Sequence, residues 1–442
     1  MNTIQDRFLE TASAIGSRLC RDAIWDCDRC NWLGASMELL FKNWTLTQRT
    51  FGPDLYGGTS GIALFLAQLY QVTQEKLYRM TAEGAMRQAL SRLEDVSPEF
   101  SSGFYSGFTG IAYASIRLGE IFGNQDWIER GLHMLEERGM EDLSQQRLDV
   151  ATGIAGAIPV LISVHQRYRR DVLAGVTIRF GKHLLETVIK SDIGWSWSTL
   201  KETNNNQQPN LTGFSHGAAG IAWVLLELYR KTHYEPCRVA AEEGFRYEQH
   251  WFSPEHGNWP DLRHYQATTT NANPALGYST AWCHGAPGIG LSRLRAYEIS
   301  GKEEYRQEAE AALRTTVKML QQSTIAQENY SLCHGIAGNA ELLIYASRVL
   351  KNTDYKSIAE QVGLRGIERY EKNRIPWPCG VLGAGETPNL MLGLAGIGYF
   401  YLRLYDSVVN PPVVIILPEE DLSTVGKLPT DNNRRDRNDK LK

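Results

Sequence analysis

The apolar positions of this chain fall into a pattern that repeats along nearly its whole length. Seven times a glycine pair of the form Gly-x-x-Gly opens a run of mostly apolar residues. The copies are YGGTSGIALFL at Gly58 and Gly61, YSGFTGIAYAS at Gly107 and Gly110, VATGIAGAIPV at Gly153 and Gly156, and FSHGAAGIAWVLL at Gly217 and Gly220. The last three are WCHGAPGIGL at Gly285 and Gly288, LCHGIAGNAELL at Gly335 and Gly338, and MLGLAGIGYFYL at Gly393 and Gly396. Their first glycines recur after 49, 46, 64, 68, 50 and 58 residues. Ile62, Phe65, Leu66 and Leu69 lie at i, i+3, i+4 and i+7, a helical face, and Ile221, Val224, Leu225 and Leu228 repeat it. More polar helical stretches separate the copies, such as 75–93, 303–320 and 355–372. Each repeat therefore predicts a glycine turn, an apolar helix, a loop and an amphipathic helix. The apolar helix belongs inside and the charged one outside. Seven such pairs predict an all-α fold, an α/α toroid of seven inner helices ringed by seven outer ones. An open solenoid would carry polar capping repeats at its ends, and the seventh copy is as apolar as the first. The glycines are expected to permit positive φ and close backbone approach at the crowded ring centre.

The repeat occupies residues 1–412, and 413–442 are set apart as a short extended segment (PPVVIILP) running into a disordered polar tail. Two of the connecting stretches are long and turn-rich, 195–213 and 251–280. Both precede motifs with unusual chemistry and are expected to fold over one mouth of the ring.

Composition narrows the function. With 46 Lys and Arg against 50 Asp and Glu, the chain carries a formal charge of -4 and no basic stripe, which argues against a nucleic-acid partner. The longest aliphatic run, Val413 to Leu417, is far shorter than the ~20 residues of a spanning helix, and the N-terminal stretch lacks a signal-peptide core. Seven scattered Cys make no disulfide framework. A cytoplasmic protein with reduced thiols is expected, including at Cys27 and Cys30, a CxxC with no second ligand pair nearby.

Three motifs depart from the others just before the first glycine: Ser215-His216, Cys283-His284 and Cys333-His334. Equivalence of the repeats places all three at the start of an inner helix, at one end of the ring. Sulfur and imidazole donors converging there suit tetrahedral Zn²⁺ with one position left open. Cys283, Cys333 and one or more of His216, His284 and His334 are the candidate ligands. Asp149, just before the third glycine pair, is either a helix N-terminal charge or a carboxylate facing the cavity.

These motifs resemble those of the lanthionine synthetase C family of peptide cyclases, over about residues 15 to 410. FSHGAAGIAW, FSPEHGNWPDLR, TAWCHGAPGIGL and MLGLAGIGYFYLRLYD are similar in particular to the cyclase half of class II lanthipeptide synthetases. Those enzymes carry a dehydratase ahead of the cyclase. This sequence begins with Met just before the cyclase half, so a separate dehydratase partner is expected to prepare the substrate. The resemblance implies a toroid with zinc bound by Cys283, Cys333 and His334, a cavity histidine at His216 and a cavity aspartate at Asp149. It implies addition of a peptide Cys thiol to dehydroalanine or dehydrobutyrine in a dehydrated precursor peptide, closing a thioether ring. Some members carry an Arg shortly before the first ligand Cys and a Tyr after it. Here 277–282 holds no Arg and His284 follows the Cys, so the roles of those two groups elsewhere do not carry over; His284 is the next proton-handling candidate after His216. An enzyme forming glutathione adducts and a non-catalytic zinc-containing peptide scaffold are the competing expectations.

Overall fold

The computed structural model describes residues 3–40, 43–199, 208–265, 276–322, 329–381, 383 and 385–418. Seven inner helices follow the seven glycine turns: α2 (Thr59–Thr73), α4 (Phe108–Phe122), α6 (Ile154–Tyr168), α8 (Ala218–Thr232), α10 (Ala286–Ser300), α12 (Ile336–Val349) and α14 (Leu394–Tyr405). The outer layer is α1 (Ile4–Arg21), α3 (Lys76–Leu90), α5 (Gln125–Glu137), α7 (Asp171–Glu186), α9 (Glu235–Trp251), α11 (Glu303–Gln322) and α13 (Thr353–Gly366). Each inner helix packs against the next, and α14 packs against α2, so the ring closes. Inner helices bury all sides of their first three turns, as at 59–69, 218–228 and 286–296. Outer helices bury one stripe only, as the apolar spacing predicts.

Closure uses the N-terminus in a way the repeat alone does not show. Six inner helices pair with the outer helix that follows them, while α14 takes α1 as its partner. The first and last described helices thus form one helical pair of the ring. A belt of backbone hydrogen bonds joins the glycine turns at one mouth, each made by the residue two before the first glycine. Tyr56 N–H donates to the Tyr105 carbonyl (2.8 Å), Ala151 to Ser215 (2.9 Å), Ser215 to Cys283 (3.4 Å), Cys283 to Cys333 (3.2 Å), Cys333 to Met391 (2.9 Å) and Met391 back to Tyr56 (3.0 Å). Between the second and third turns the Ser106 hydroxyl supplies the link, to the Ala151 carbonyl at 3.3 Å.

The glycines act mainly through close approach. A Cβ at Gly338 would sit 1.8 Å from the Leu332 carbonyl oxygen, a distance no side chain tolerates. Positive φ, expected of the first glycines generally, occurs among them only at Gly285 (φ 89°), and the other six are extended.

Three antiparallel hairpins interrupt the helices: β1 (Ile24–Asp26) with β2 (Arg29–Asn31), β3 (Leu33–Leu40) with β4 (Asn43–Thr50), and β5 (Ile189–Ser191) with β6 (Gly194–Ser196). None was read from the sequence. Cys27 lies exposed at the first hairpin's turn with φ 55°, while Cys30 is buried and bonds the Thr81 carbonyl, so the CxxC is split between solvent and core.

The extended segment 413–417 belongs to the core. Beyond α14, Val413 to Leu417 are all buried. Tyr105 Oη donates to the Val413 carbonyl (2.7 Å) and Trp282 Nε1 to that of Val414 (2.8 Å), so the segment fills the hub beneath the mouth. The expected disordered tail from 419 onward lies outside the described residues. Among those described, no helix is long and apolar enough to cross a membrane.

Candidate functional site

The local chemistry of the glycine turns positions the site. In the first, third and seventh turns an Asp or Asn four residues before the helix-capping glycine closes the loop on itself. Asp54 Oδ1 accepts from Gly57 N–H (2.7 Å), Asp149 Oδ1 from Thr152 N–H (2.6 Å) and Asn389 Oδ1 from Leu392 N–H (2.9 Å). The fourth and fifth turns have Gly213 and Ala281 at that place, and a distant side chain takes over. Glu248 on α9 accepts from Gly213 N–H (3.0 Å) and Ala219 N–H (2.8 Å), straddling His216. Asn258 accepts from Ala286 N–H (2.9 Å) and donates to the Ser279 carbonyl (3.1 Å), straddling Cys283 and His284. In the sixth turn Asn329 accepts from the Ser331 N–H (3.1 Å) and hydroxyl (2.7 Å) ahead of Cys333 and His334.

These turns bring Cys283, Cys333, His216, His284 and His334 to one cavity of about 320 Å³, together with Tyr56, Arg263 and Trp282. Asp149 lies directly behind it: its Oδ2 accepts a 2.9 Å hydrogen bond from His216 Nδ1. That bond places the Nδ1 proton toward Asp149 and leaves Nε2 as the free edge of the ring. Burial opposes an imidazolium at His216, but the Asp149 carboxylate and its hydrogen bond outweigh burial, and the pKa is raised. Asp149 is not in the first turn of α6 and does not itself line the cavity; it sits in the glycine turn and reaches the cavity through His216. One carboxylate closes its own turn and orients a histidine 67 residues away.

The Cys283 and Cys333 thiols interact and titrate as a pair. That interaction eases the loss of the first proton, at Cys283, with burial opposing and His216 and Arg263 assisting. It makes the second, at Cys333, harder to lose. His334 Nε2 bonds the Gly380 carbonyl at 2.8 Å, so Nε2 carries the proton and Nδ1 keeps its lone pair. Burial, with Arg263, keeps the His334 ring neutral. His284, buried, is pushed down to about 3 by burial and by Arg263, and its Nε2 has no hydrogen-bond partner among the described residues. Its ring centroid lies 6.0 Å from that of His216. Two sulfurs and an imidazole nitrogen with a free lone pair thus line one cavity. Among the described residues, no three His, Cys, Asp or Glu side chains close into a ready-formed metal cluster.

Two lining residues escaped the sequence reading. Tyr56 is half-buried, and its hydroxyl interacts with the Cys333 thiol. The signal was present, because Tyr56 stands two before its glycine, as Cys283 and Cys333 do. Arg263 comes from the loop after α9, as the expectation that this loop folds over the mouth implies, but no spacing rule links it to Cys283.

Comparison with known proteins agrees with this fold. The family model described as "Lanthionine synthetase C-like protein" matches residues 50–414. The nisin biosynthesis protein NisC of Lactococcus lactis subsp. lactis is 22% identical over 338 residues, 71% of this chain and 78% of NisC. The lacticin 481/lactococcin biosynthesis protein LcnDR2 of the same organism is 24% identical over 398 residues, covering 85% of this chain but only 38% of LcnDR2. Glutathione S-transferase LANCL1 of Danio rerio is 20% identical over 303 residues, 56% of this chain and 70% of LANCL1. Among solved structures, nisin cyclase superposes with a TM-score of 0.63 at 17% identity, covering 84% of this chain and 94% of that one, which establishes the shared fold. By the family match across most of its length, the chain belongs to the lanthionine synthetase C-like protein family.

Proposed function

We propose that the protein is a zinc-dependent lanthipeptide cyclase. It adds Cys thiols of a dehydrated precursor peptide to dehydroalanine or dehydrobutyrine in the same peptide, forming (methyl)lanthionine thioether rings. The observation that carries this reading is the meeting of a coupled thiol pair with a His216–Asp149 pair in one cavity. Family membership and a relative named for nisin biosynthesis support it. The donor set suits zinc: Cys283, Cys333 and Nδ1 of His334, whose Gly380 bond is the carbonyl partner that zinc-ligating histidines commonly have. Bound there, zinc supplies the Lewis acidity that keeps a substrate thiol deprotonated near neutral pH.

The remaining work falls to the chain's own side chains. Tyr56 steadies the Cys333 sulfur. His216, whose imidazolium form Asp149 favours, delivers a proton through Nε2 to the α-carbon after the new bond forms. His284, uncharged in the working range, presents Nε2 as a hydrogen-bonding group for the peptide. The dehydrated residues are made beforehand, by a separate dehydratase or by another part of a longer synthetase. All seven cysteines are free thiols, which suits a reducing cytoplasmic setting.

The test mixes protein with a dehydrated precursor peptide and counts free thiols. Ring closure removes thiols without changing peptide mass. His216→Ala should keep its zinc and its melting temperature while slowing closure by about 10²–10⁴-fold. Normal closure by the zinc-loaded variant would remove His216 from the mechanism. Similarity to a relative named as a glutathione S-transferase supports a second reading, addition of glutathione to dehydroamino acids. Peptide mass rising by one glutathione when glutathione is supplied would favour it.

A further inference from the structure

The cavity holds a permanent cation with no place in the account so far. Arg263 lines it alongside both thiols and all three histidines. Its position is built rather than incidental. The Asp261 carboxylate grips Nε at 2.9 and 3.0 Å and also holds Nη2, and it accepts the Arg263 backbone N–H at 3.1 Å. Asp261 N–H is in turn tied to the Gly277 carbonyl (2.8 Å). From the other long loop, Gln208 Nε2 donates to the carbonyls of Leu262 (2.9 Å) and Arg263 (3.1 Å), and Leu262 is buried. Both long loops therefore converge on this one residue, Asp261 at its side chain and Gln208 at its backbone. The clasp uses the Nε edge of the guanidinium, and Nη1 makes no hydrogen bond among the described residues. Arg263 interacts electrostatically with His216, Cys283, His284, Cys333 and His334, which places its charge near every Cys and His of the cavity.

Conjugate addition has a requirement that the thiols and His216 do not meet. As the sulfur's electron pair forms the S–Cβ bond, the Cα=Cβ pair shifts to Cα and onto the carbonyl oxygen of the dehydroamino acid. That oxygen carries the developing negative charge until a proton reaches Cα. Nothing is oxidised or reduced, and the thiol proton ends, in balance, on Cα. A fixed donor aimed at that oxygen lowers the barrier most if it is already in place before reaction.

Resting on the cyclase reading above, we propose that Arg263 holds the carbonyl oxygen of the dehydroamino acid and donates hydrogen bonds to it as the charge arrives. Asp261 and Gln208 are positioning residues: Asp261 fixes the guanidinium, and Gln208 fixes the backbone that carries it. Arg263 gives up no proton, and His216 remains the acid. A planar, permanently charged group with a free edge suits an oxygen whose charge rises and falls within one turnover.

The experiment uses the full zinc-loaded chain and a dehydrated precursor peptide. Wild type, Arg263→Ala, Arg263→Lys and Asp261→Asn are compared for ring-closure kcat and KM, zinc content and melting temperature. Arg263→Ala should lose about 10²–10³-fold in kcat, as enzymes do on losing one such donor, with zinc retained and KM changed far less. Added methylguanidinium should restore part of that rate, which no purely structural role would allow. Arg263→Lys should fall between the two, and Asp261→Asn should lose less than Arg263→Ala. Arg263→Ala closing rings at the wild-type rate would overturn the proposal. So would a slow Arg263→Ala that methylguanidinium does not rescue and in which Arg263→Lys is no faster. If wild type itself closes no rings, the cyclase reading fails, a result separate from either outcome.

Discussion

Asp149 performs two tasks that substitution can separate. Its Oδ1 accepts from Thr152 N–H (2.6 Å) and Thr152 Oγ1 (3.0 Å), closing the third glycine turn, while Oδ2 accepts from His216 Nδ1 (2.9 Å). Asp149→Asn keeps an oxygen for the turn but places an N–H₂ donor against Nδ1. His216 must then carry its proton on Nε2 as a neutral ring, and an imidazolium loses the carboxylate that offsets its burial. The expected result is a turn that holds, with stability altered by less than about 1 kcal/mol, and ring closure slowed by about 10²–10⁴-fold. Asp149→Ala removes the turn bonds as well. At about 1 kcal/mol for each hydrogen bond, with buried partners left unpaired, it should cost about 2–4 kcal/mol in addition to the rate. The assay is single-turnover thiol titration on dehydrated peptide, paired with thermal melting of the same samples. Asp149→Asn with wild-type kinetics would refute the orienting role. Equal melting temperatures for Asp149→Ala and wild type would refute the turn role.

Glu248 supplies a pH prediction. Burial pushes its carboxyl from an ordinary 4.5 up to about 7, so the folded state favours the protonated form. The stability this gives is fully present below about pH 4.5 and is lost as pH rises through 7, a change of about 3 kcal/mol. Glu248→Gln should abolish that slope, so its melting temperature should gain on wild type between pH 5 and 8. Parallel curves would contradict the assignment. For the CxxC, Cys27→Ser with Cys30→Ser should leave zinc content and ring closure unchanged, because Cys27 is exposed and Cys30 faces α3. Loss of bound metal in that variant would show a second site.

The ring was legible because the glycine pairs and the apolar face behind them are local signals. Cys283, His284, Cys333, His334 and His216 were legible for the same reason: the repeat puts them in register. What stayed hidden depends on contacts between distant segments. Glu248 replaces the missing Asx residue of the fourth turn from α9, 35 residues beyond Gly213. Arg263 reaches the cavity through a loop with no periodicity. The role of α1 as partner of α14 requires knowing that the ring closes. Val413 to Leu417 were set apart as an extended segment, yet their carbonyls find Tyr105 and Trp282 in the hub. The β3–β4 hairpin was missed because it lies outside every copy of the repeat, where helical spacing was the only pattern followed.

On the proposed function, Cys283, Cys333 and His334 hold a zinc ion on which thioether formation depends. The direct measurement is zinc per chain and loss of peptide thiols at constant mass, taken on the same preparations of wild type and Cys333→Ala. The account predicts close to one zinc and complete thiol loss in wild type, with both falling together in the variant. A Cys333→Ala protein free of zinc that still closes rings at the wild-type rate would contradict it.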